Sequence, residues 1–200
     1  MKRLMIAMAA LIAMSGVAQA QDFKPYAGFG IGGFGVEEKE PGFSQKSTTF
    51  GGYGKLGVDV NDYLGGELRF GATGNGSQTY AAGTTFGGIV IPVPVDVTLT
   101  SDYFISYLAK LQLPVAEDFR VSALLGATTA KIKGTASAGV ISASTSATKT
   151  GFSYGFGGEY FFNSNMSVGG EWIQYLTDVN LDSVSTARLW GASGTFNFYF

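Results

Sequence analysis

The chain has 200 residues, 46% of them hydrophobic, 14% aromatic and only 14% charged, with a formal net charge of −2. That aromatic content excludes disorder, and a charged fraction near half the usual quarter predicts that something other than water covers much of the surface. With no cysteine and no histidine, a disulfide framework, thiolate chemistry and histidine-based catalysis are excluded.

From the N-terminus, Lys2 and Arg3 precede an uncharged run from Leu4 to Met14, followed by Ser15, Gly16 and Ala18-Gln19-Ala20. This order of basic, apolar and small-residue regions predicts a secretory signal peptide over 1–20, cleaved after Ala20. The apolar run is too short to span a bilayer as a helix, which takes about 20 residues. Loss of Lys2 and Arg3 leaves a mildly acidic mature chain over 21–200, so nucleic acid is not an expected partner.

Beyond residue 20 apolar residues recur at two rather than at 3.6, which predicts an all-β chain. Eight strands are expected: Phe23 to Val36, Thr48 to Val60, Tyr63 to Thr73, Val95 to Leu113, Phe119 to Lys133, Thr148 to Phe162, Met166 to Thr177 and Ser185 to Phe200. Three joints are short, with turn chemistry: Asn61-Asp62, Pro114 to Asp118 and Asn163-Ser164-Asn165. Four are long: Glu37 to Ser47, Gly74 to Pro94, Gly134 to Ala147 and Asp178 to Val184. Strict alternation of short and long joints predicts a closed, eight-stranded, antiparallel up-and-down transmembrane β-barrel, with three periplasmic turns and four extracellular loops. An extra hairpin inside 74–94 would raise the strand count by two.

The faces carry the same message. Trp190, Ala192, Gly194, Phe196, Phe198 and Phe200 alternate with Gly191, Ser193, Thr195, Asn197 and Tyr199. In the middle strands Leu56, Leu68, Phe70, Tyr107, Leu111, Val121 and Leu125 alternate with Lys55, Glu67, Arg69, Lys110, Gln112 and Arg120. The polar face has too few ions to cover a wet exterior, so the greasy face is expected to meet lipid and the polar face to line the lumen. Backbone in hydrocarbon must be fully hydrogen-bonded, which requires closure. Aromatics near strand ends suggest two girdles: Phe23, Tyr63, Phe119, Phe161, Phe162, Tyr199 and Phe200 at the turns, and Phe34, Phe50, Tyr103, Phe152 and Trp190 at the loops.

Counted outward from the short turns, Lys55, Glu67, Arg69, Lys110, Glu159 and Glu171 share one level of the lumen. Buried charges require partners. Lys55 is expected to pair with Glu67, and Arg69 or Lys110 to cross the lumen and bridge Glu159 with Glu171, Arg69 being preferred for its fork. Such a belt either gates ions or plugs a pore too narrow to conduct, and eight strands favour the plug.

Three motifs carry no chemistry here. Gly28-x-Gly30-x-x-Gly33 lies inside a strand rather than opening a helix, and Gly151-Phe152-Ser153-Tyr154-Gly155 lacks the histidine a nucleophile elbow needs. Asn75-Gly76-Ser77 is a glycosylation sequon by pattern only. No catalytic residue, metal ligand or cofactor is expected; a Glu159/Glu171 dyad would lie too deep for substrate. Phe86, Ile89, Val90, Ile91 and Val93 form an apolar stretch in the second long joint.

The A-x-A end, the eight alternating segments, Gly151 to Phe162 (GFSYGFGGEYFF) and the final Gly194 to Phe200 (GTFNFYF) together resemble the small outer-membrane β-barrels of Gram-negative bacteria, OmpA/OmpX-like and Opa-like. That resemblance implies an outer-membrane location, contact with membrane lipid and lipopolysaccharide, and a terminal aromatic signal, Phe196, Phe198 and Phe200, read by the barrel-assembly machinery. Unlike full-length OmpA, this chain is expected to stop at the barrel, without a peptidoglycan-binding domain. Two functions fit: a non-enzymatic barrel whose loops meet other cells or host molecules and which supports membrane integrity, or a narrow channel or conduit for small hydrophobic molecules.

Overall fold

A computed structural model of the protein describes residues 23–40, 43–86, 89–180 and 185–200; the expected export segment 1–20 lies outside them. The described chain contains β1 (Lys24–Glu40), β2 (Phe43–Asp59), β3 (Leu64–Thr73), β4 (Gly76–Tyr80), β5 (Thr85–Phe86), β6 (Ile89–Val90), β7 (Val95–Ala116), β8 (Phe119–Ala138), β9 (Ile141–Asn163), β10 (Met166–Asn180) and β11 (Thr186–Tyr199). Neighbouring strands run antiparallel in the order β3-β2-β1-β11-β10-β9-β8-β7, and β3 pairs with β7 to close the ring. β4 takes up the same position where β3 ends, pairing with β7 from Gly76↔Leu99 to Tyr80↔Val95. The barrel is therefore eight-stranded, with one strand interrupted. The hairpin within 74–94 exists, but as the two-residue strands β5 and β6, paired only with each other.

Turn chemistry sets one end. Asn61 Oδ1 accepts the backbone N–H groups of Tyr63 at 2.8 Å and Leu64 at 2.9 Å, and Asn163 Oδ1 accepts that of Asn165 at 2.9 Å, so short side chains satisfy the reversing backbone. Pro114 sits within β7 rather than in the turn, opposite Arg120. It falls beyond the last β3 partner pair, Leu64↔Leu111, where a missing N–H costs no ladder bond.

At the other end the long joints are mostly strand. β1 and β2 stay paired out to Glu40↔Phe43, and β8 and β9 out to Ala138↔Ile141. The turn between them is the two residues Gly139 and Val140. Gly139 has φ 59°, the sign a type II′ turn requires at its first central residue.

Face orientation follows the alternation. Phe50, Leu56, Phe70, Tyr107, Phe152 and Phe156 are exposed on the outer wall, while Lys55, Glu67, Arg69, Lys110, Ser153 and Asn197 are buried inside. Three residues expected in the girdles face inward instead. Phe34 is fully buried and Tyr199 nearly so, and the Phe161 ring lies 5.4 Å from that of Tyr199. Each shares strand parity with lumen positions, and parity decides the side of a pleated wall whatever the height.

The lumen has two layers. Toward the loop end Phe34, Phe104, Tyr175, Ile173, Leu176 and Leu189 form one apolar cluster, with ring centroids 4.7 Å apart for Phe104 and Tyr175 and 5.8 Å for Phe34 and Phe104. β10 adds to it through irregularities between Gln174 and Leu176 and between Leu176 and Val179, which bury four successive residues, Ile173 to Leu176. Toward the turn end the filling is polar.

Candidate functional site

β2 and β3 supply the centre of the polar layer. Lys55 and Arg69 are cross-strand partners, and Glu67 faces Gly57 one diagonal step away. Arg69 is 0% exposed. Its Nε donates to Glu67 Oε2 at 2.8 Å, its Nη2 donates to Glu171 Oε2 on β10 at 2.9 Å, and Nη2 also donates to Glu67. One guanidinium thus grips two carboxylates, the geometry its planar fork is suited to. The Arg69 guanidinium also lies 4.8 Å from the Tyr53 ring centroid.

Tyrosine hydroxyls complete both carboxylates. Tyr26 donates to Glu67 Oε1 at 2.6 Å, and Tyr53 donates to Glu171. Glycine makes room for these rings. A Cβ at Gly30 would lie 2.3 Å from Tyr53 Cζ, and one at Gly57 would lie 2.2 Å from Tyr26 Cζ. The rings lie flat on bare backbone of the adjacent strand.

Nearer the turns a second ion cluster spans the lumen. Asp59 receives Lys110 Nζ at 2.8 Å and Arg120 Nη1 at 2.8 Å. Arg120 packs 4.2 Å from the Phe161 ring centroid, and Lys110 Nζ lies 4.4 Å from that of Tyr26.

The expected bridge from Glu159 to Glu171 is not the one formed. Arg69 joins Glu171 to Glu67, the carboxylate two residues along its own strand face. Glu159 is held by hydroxyl and amide donors: Ser167 Oγ, Asn197 Nδ2 at 2.6 Å and Tyr199 OH at 2.9 Å. Among the described residues Glu159 forms no ion pair, and three donors satisfy it, so nothing draws Arg69 across to it. Lys110 bridges to Asp59 instead. Lys55 lies 3.7 Å from Glu67 Oε1, an ion pair without hydrogen-bond contact.

Asp59, Arg120, Tyr26, Tyr53, Asn197 and Tyr199 belong to the site and were outside the expected belt. Asp59 shares strand parity with Lys55, and Arg120 shares the polar face; those signals were present in the sequence. Tyr26 and Tyr53 read as apolar and Tyr199 shares the polar face, and each hydroxyl ends on a carboxylate. Between these groups a cavity of about 20 Å³ remains, lined in part by Lys55, Glu67, Lys110, Glu159, Glu171 and Asn197. That is room for about one water. Among the described residues, no group of three or more acidic side chains is placed to hold a metal ion.

The other expected residues lie apart. Phe196, Phe198 and Phe200 end the chain on the outer wall, with Phe198 and Phe200 stacked edge to face at 5.3 Å. Val90 and Val93 are exposed in the β5–β6 region, Ile91 is half-buried, and the backbone of Phe86 pairs with that of Ile89. At the loop end an ion pair joins Arg188 and Asp178, with Nε to Oδ1 at 2.6 Å and Nη2 to Oδ2 at 2.6 Å. Those hydrogen bonds hold the Asp178 carboxyl below its usual range.

The family model for the outer membrane protein beta-barrel domain matches residues 4–198. No curated protein matches the chain by sequence. Among solved structures the chain is similar to Ail, the attachment invasion locus protein of Yersinia pestis, at 19% identity and TM-score 0.53, covering 88% of this chain and 99% of that one. It is also similar to the same protein in complex with the heparin analogue sucrose octasulfate, at 17% identity and TM-score 0.51, over 88% and 99%. The outer membrane protease OmpT of Escherichia coli aligns at 10% identity and TM-score 0.50, over 91% and 99%. At these identities the structures speak for the fold, an antiparallel outer-membrane barrel. The chain belongs to the outer membrane protein β-barrel domain family, and its place is the outer membrane of a Gram-negative bacterium.

Proposed function

We propose that the protein is a non-enzymatic, non-conducting outer-membrane barrel that acts through what its loop end presents to other cells, host molecules or the medium, while supporting membrane integrity. What carries this reading is the filling of the lumen. A fully buried Arg69 clamps Glu67 to Glu171, the apolar cluster around Phe34 and Phe104 sits over it, and the cavity left between the charges holds about one water. A hydrated ion has no path through that stack without breaking paired, buried charges. Strands continued past the aromatic residues give the loop end rigid, exposed hairpins, the arrangement on which surface contacts are built. The loop end is then extracellular and the Asn-rich turns periplasmic. Lipid and lipopolysaccharide surround the outer wall, and Phe196, Phe198 and Phe200 serve as the signal for the assembly machinery.

Planar-bilayer recording of the refolded protein tests this. The expected result is silence. Steady single-channel openings that vanish in Glu171→Gln or Arg69→Ala would refute the plug and favour a channel. Exposed Val90 and Val93 are what speaks for a conduit for small hydrophobic molecules. Removal of residues 84–94 would then abolish uptake of an apolar solute, whereas unchanged uptake removes that reading.

A further inference from the structure

Toward the loop end some strands outrun a neighbour: β2 continues beyond its last β3 partner pair, Gly51↔Thr73, and β9 beyond its last β10 partner pair, Gln174↔Tyr154. β9 pairs with β8 along its whole outer length, from Ala138↔Ile141 to Thr128↔Gly151. On its other side β10 pairs with it only as far as Gln174↔Tyr154. Among the described residues, nothing pairs with the outer edge of β9 from Ile141 to Thr150, and Ile141 to Ser146 are exposed throughout. Exposed edges are ordinarily protected by lysine, proline or a bulge. Here Ile141 to Thr148 contains no charge and no proline, with Lys149 the one charged residue of the edge, and its pairing with β8 is unbroken. Ile141 lies eleven residues beyond Phe152 and Thr145 seven, so at about 3.3 Å per residue and a tilt near 40° the tip of the edge stands roughly 28 Å and its centre roughly 18 Å clear of the aromatic level.

About Thr145 the sequence of this edge is close to symmetric. About Thr145, Ser144 mirrors Ser146, Ala143 mirrors Ala147, and Ser142 mirrors Thr148. Laid antiparallel on a second copy about a two-fold axis at Thr145, Thr145 meets Thr145, Ser144 meets Ser146, Ala143 meets Ala147 and Ser142 meets Thr148. From Ser142 to Thr148 every cross-strand pair is small and uncharged, and the flanking pairs set Ile141 against Lys149. Direction then selects the partner's location. Two barrels in one membrane carry β9 in the same sense, so their edges could meet only parallel. Barrels in two facing membranes carry it in opposite senses, which the antiparallel pairing requires.

We infer that the β9 edge centred on Thr145 is a homotypic adhesion surface, which joins two copies of this chain across facing membranes by antiparallel strand addition. A two-fold interface of this kind is self-complementary, and strand addition draws its affinity from main-chain hydrogen bonds that small side chains leave accessible. The inference rests on the loop end facing outward, as proposed above.

The test uses full-length protein refolded into two populations of phosphatidylcholine vesicles carrying donor and acceptor dyes. Wild-type vesicles are expected to tether. Thr145→Lys vesicles and Thr145→Glu vesicles, each alone, set like charges on the two-fold and lose tethering at least several-fold. Thr145→Lys vesicles mixed with Thr145→Glu vesicles recover it, because the pair now facing across the axis is opposite in sign. Thr145 stands opposite Gly134, so neither substitution meets a charge within its own hairpin. Absence of wild-type tethering, tethering unchanged by both substitutions, or no recovery in the mixture overturns the inference. A membrane-impermeant amine-reactive label added outside reports orientation separately, read at Lys133 and Lys149. Labelling without tethering removes the adhesion surface and leaves the outward loop end, whereas protection from labelling overturns both.

Discussion

Replacing Arg69 by leucine keeps most of the side-chain volume and removes the charge that two buried carboxylates share. Glu67 keeps the Tyr26 hydroxyl at 2.6 Å and Lys55 at 3.7 Å; Glu171 keeps the Tyr53 and Ser193 hydroxyls. Breaking a buried ion pair from one side costs about 3–5 kcal/mol, because the remaining charge stays desolvated. Two anions are stranded here, although each retains a hydroxyl donor, so about 4 kcal/mol is the expected loss. With a urea slope of about 3 kcal/mol/M, that moves the unfolding midpoint down by roughly 1.3 M. The assay is urea unfolding of the barrel in lipid vesicles, followed by tryptophan fluorescence and by the gel shift between folded and heated protein. Glu171→Gln leaves an amide that still accepts from Arg69 and Tyr53, and costs about half as much. The double variant should be more stable than the sum of the single losses by about 1–3 kcal/mol, since the two side chains are in direct contact. Arg69→Lys keeps the charge but not the fork, and should fall between wild type and leucine. A midpoint shift below about 0.3 M for Arg69→Leu, or strictly additive losses, would mean that these charges are solvated rather than paired, and the argument for a sealed lumen would fail with them.

Three further outcomes follow from the geometry. Gly30→Ala places a methyl where the Tyr53 ring lies, and should destabilise the barrel by about 1–3 kcal/mol; Gly33→Ala, with open space around the new methyl, should be far milder in the same urea titration. The Asp178 carboxyl is held below its usual range by Arg188, so its contribution is present above the ordinary carboxylate range and disappears as pH falls below about 4. Both side chains are partly exposed, so the effect is at most about 1 kcal/mol, and Asp178→Asn should erase that part of the difference between midpoints at pH 3 and pH 6. Phe200 is 73% exposed on the outer wall; Phe200→Ala should lower the amount of barrel in the outer membrane of expressing cells while leaving refolding into vesicles unchanged, and equal cellular amounts would remove it from the assembly signal.

Much of the barrel is legible in the order of residues, for reasons that are local. A strand turns alternate side chains to opposite sides, so the parity that separates Phe196 and Phe198 from Asn197 and Tyr199 fixes which residues share a face without reference to any other strand. The Asn61 and Asn163 turns are equally local, because each asparagine bonds backbone two or three residues on. The outer hairpins escaped for a related reason. Their serine, threonine and alanine alternation carries no hydrophobic contrast, so Gly134 to Ala147 resembles a loop although Gly139-Val140 is a two-residue turn.

The sequence by itself determined the strands of the wall, their faces, the closure and the polar filling of the turn end, since these follow from period two, turn chemistry and the cost of unpaired backbone in lipid. Only the tertiary structure decided which charge holds which. Arg69 takes Glu67 and Glu171 and leaves Glu159 to Ser167, Asn197 and Tyr199, and the register between strands far apart in sequence sets that choice. The same is true of the β9 edge. Its residues are ordinary in the chain, and their exposure depends on β10 parting from β9 after Gln174, a divergence that belongs to the pairing of strands and not to the sequence of any one of them.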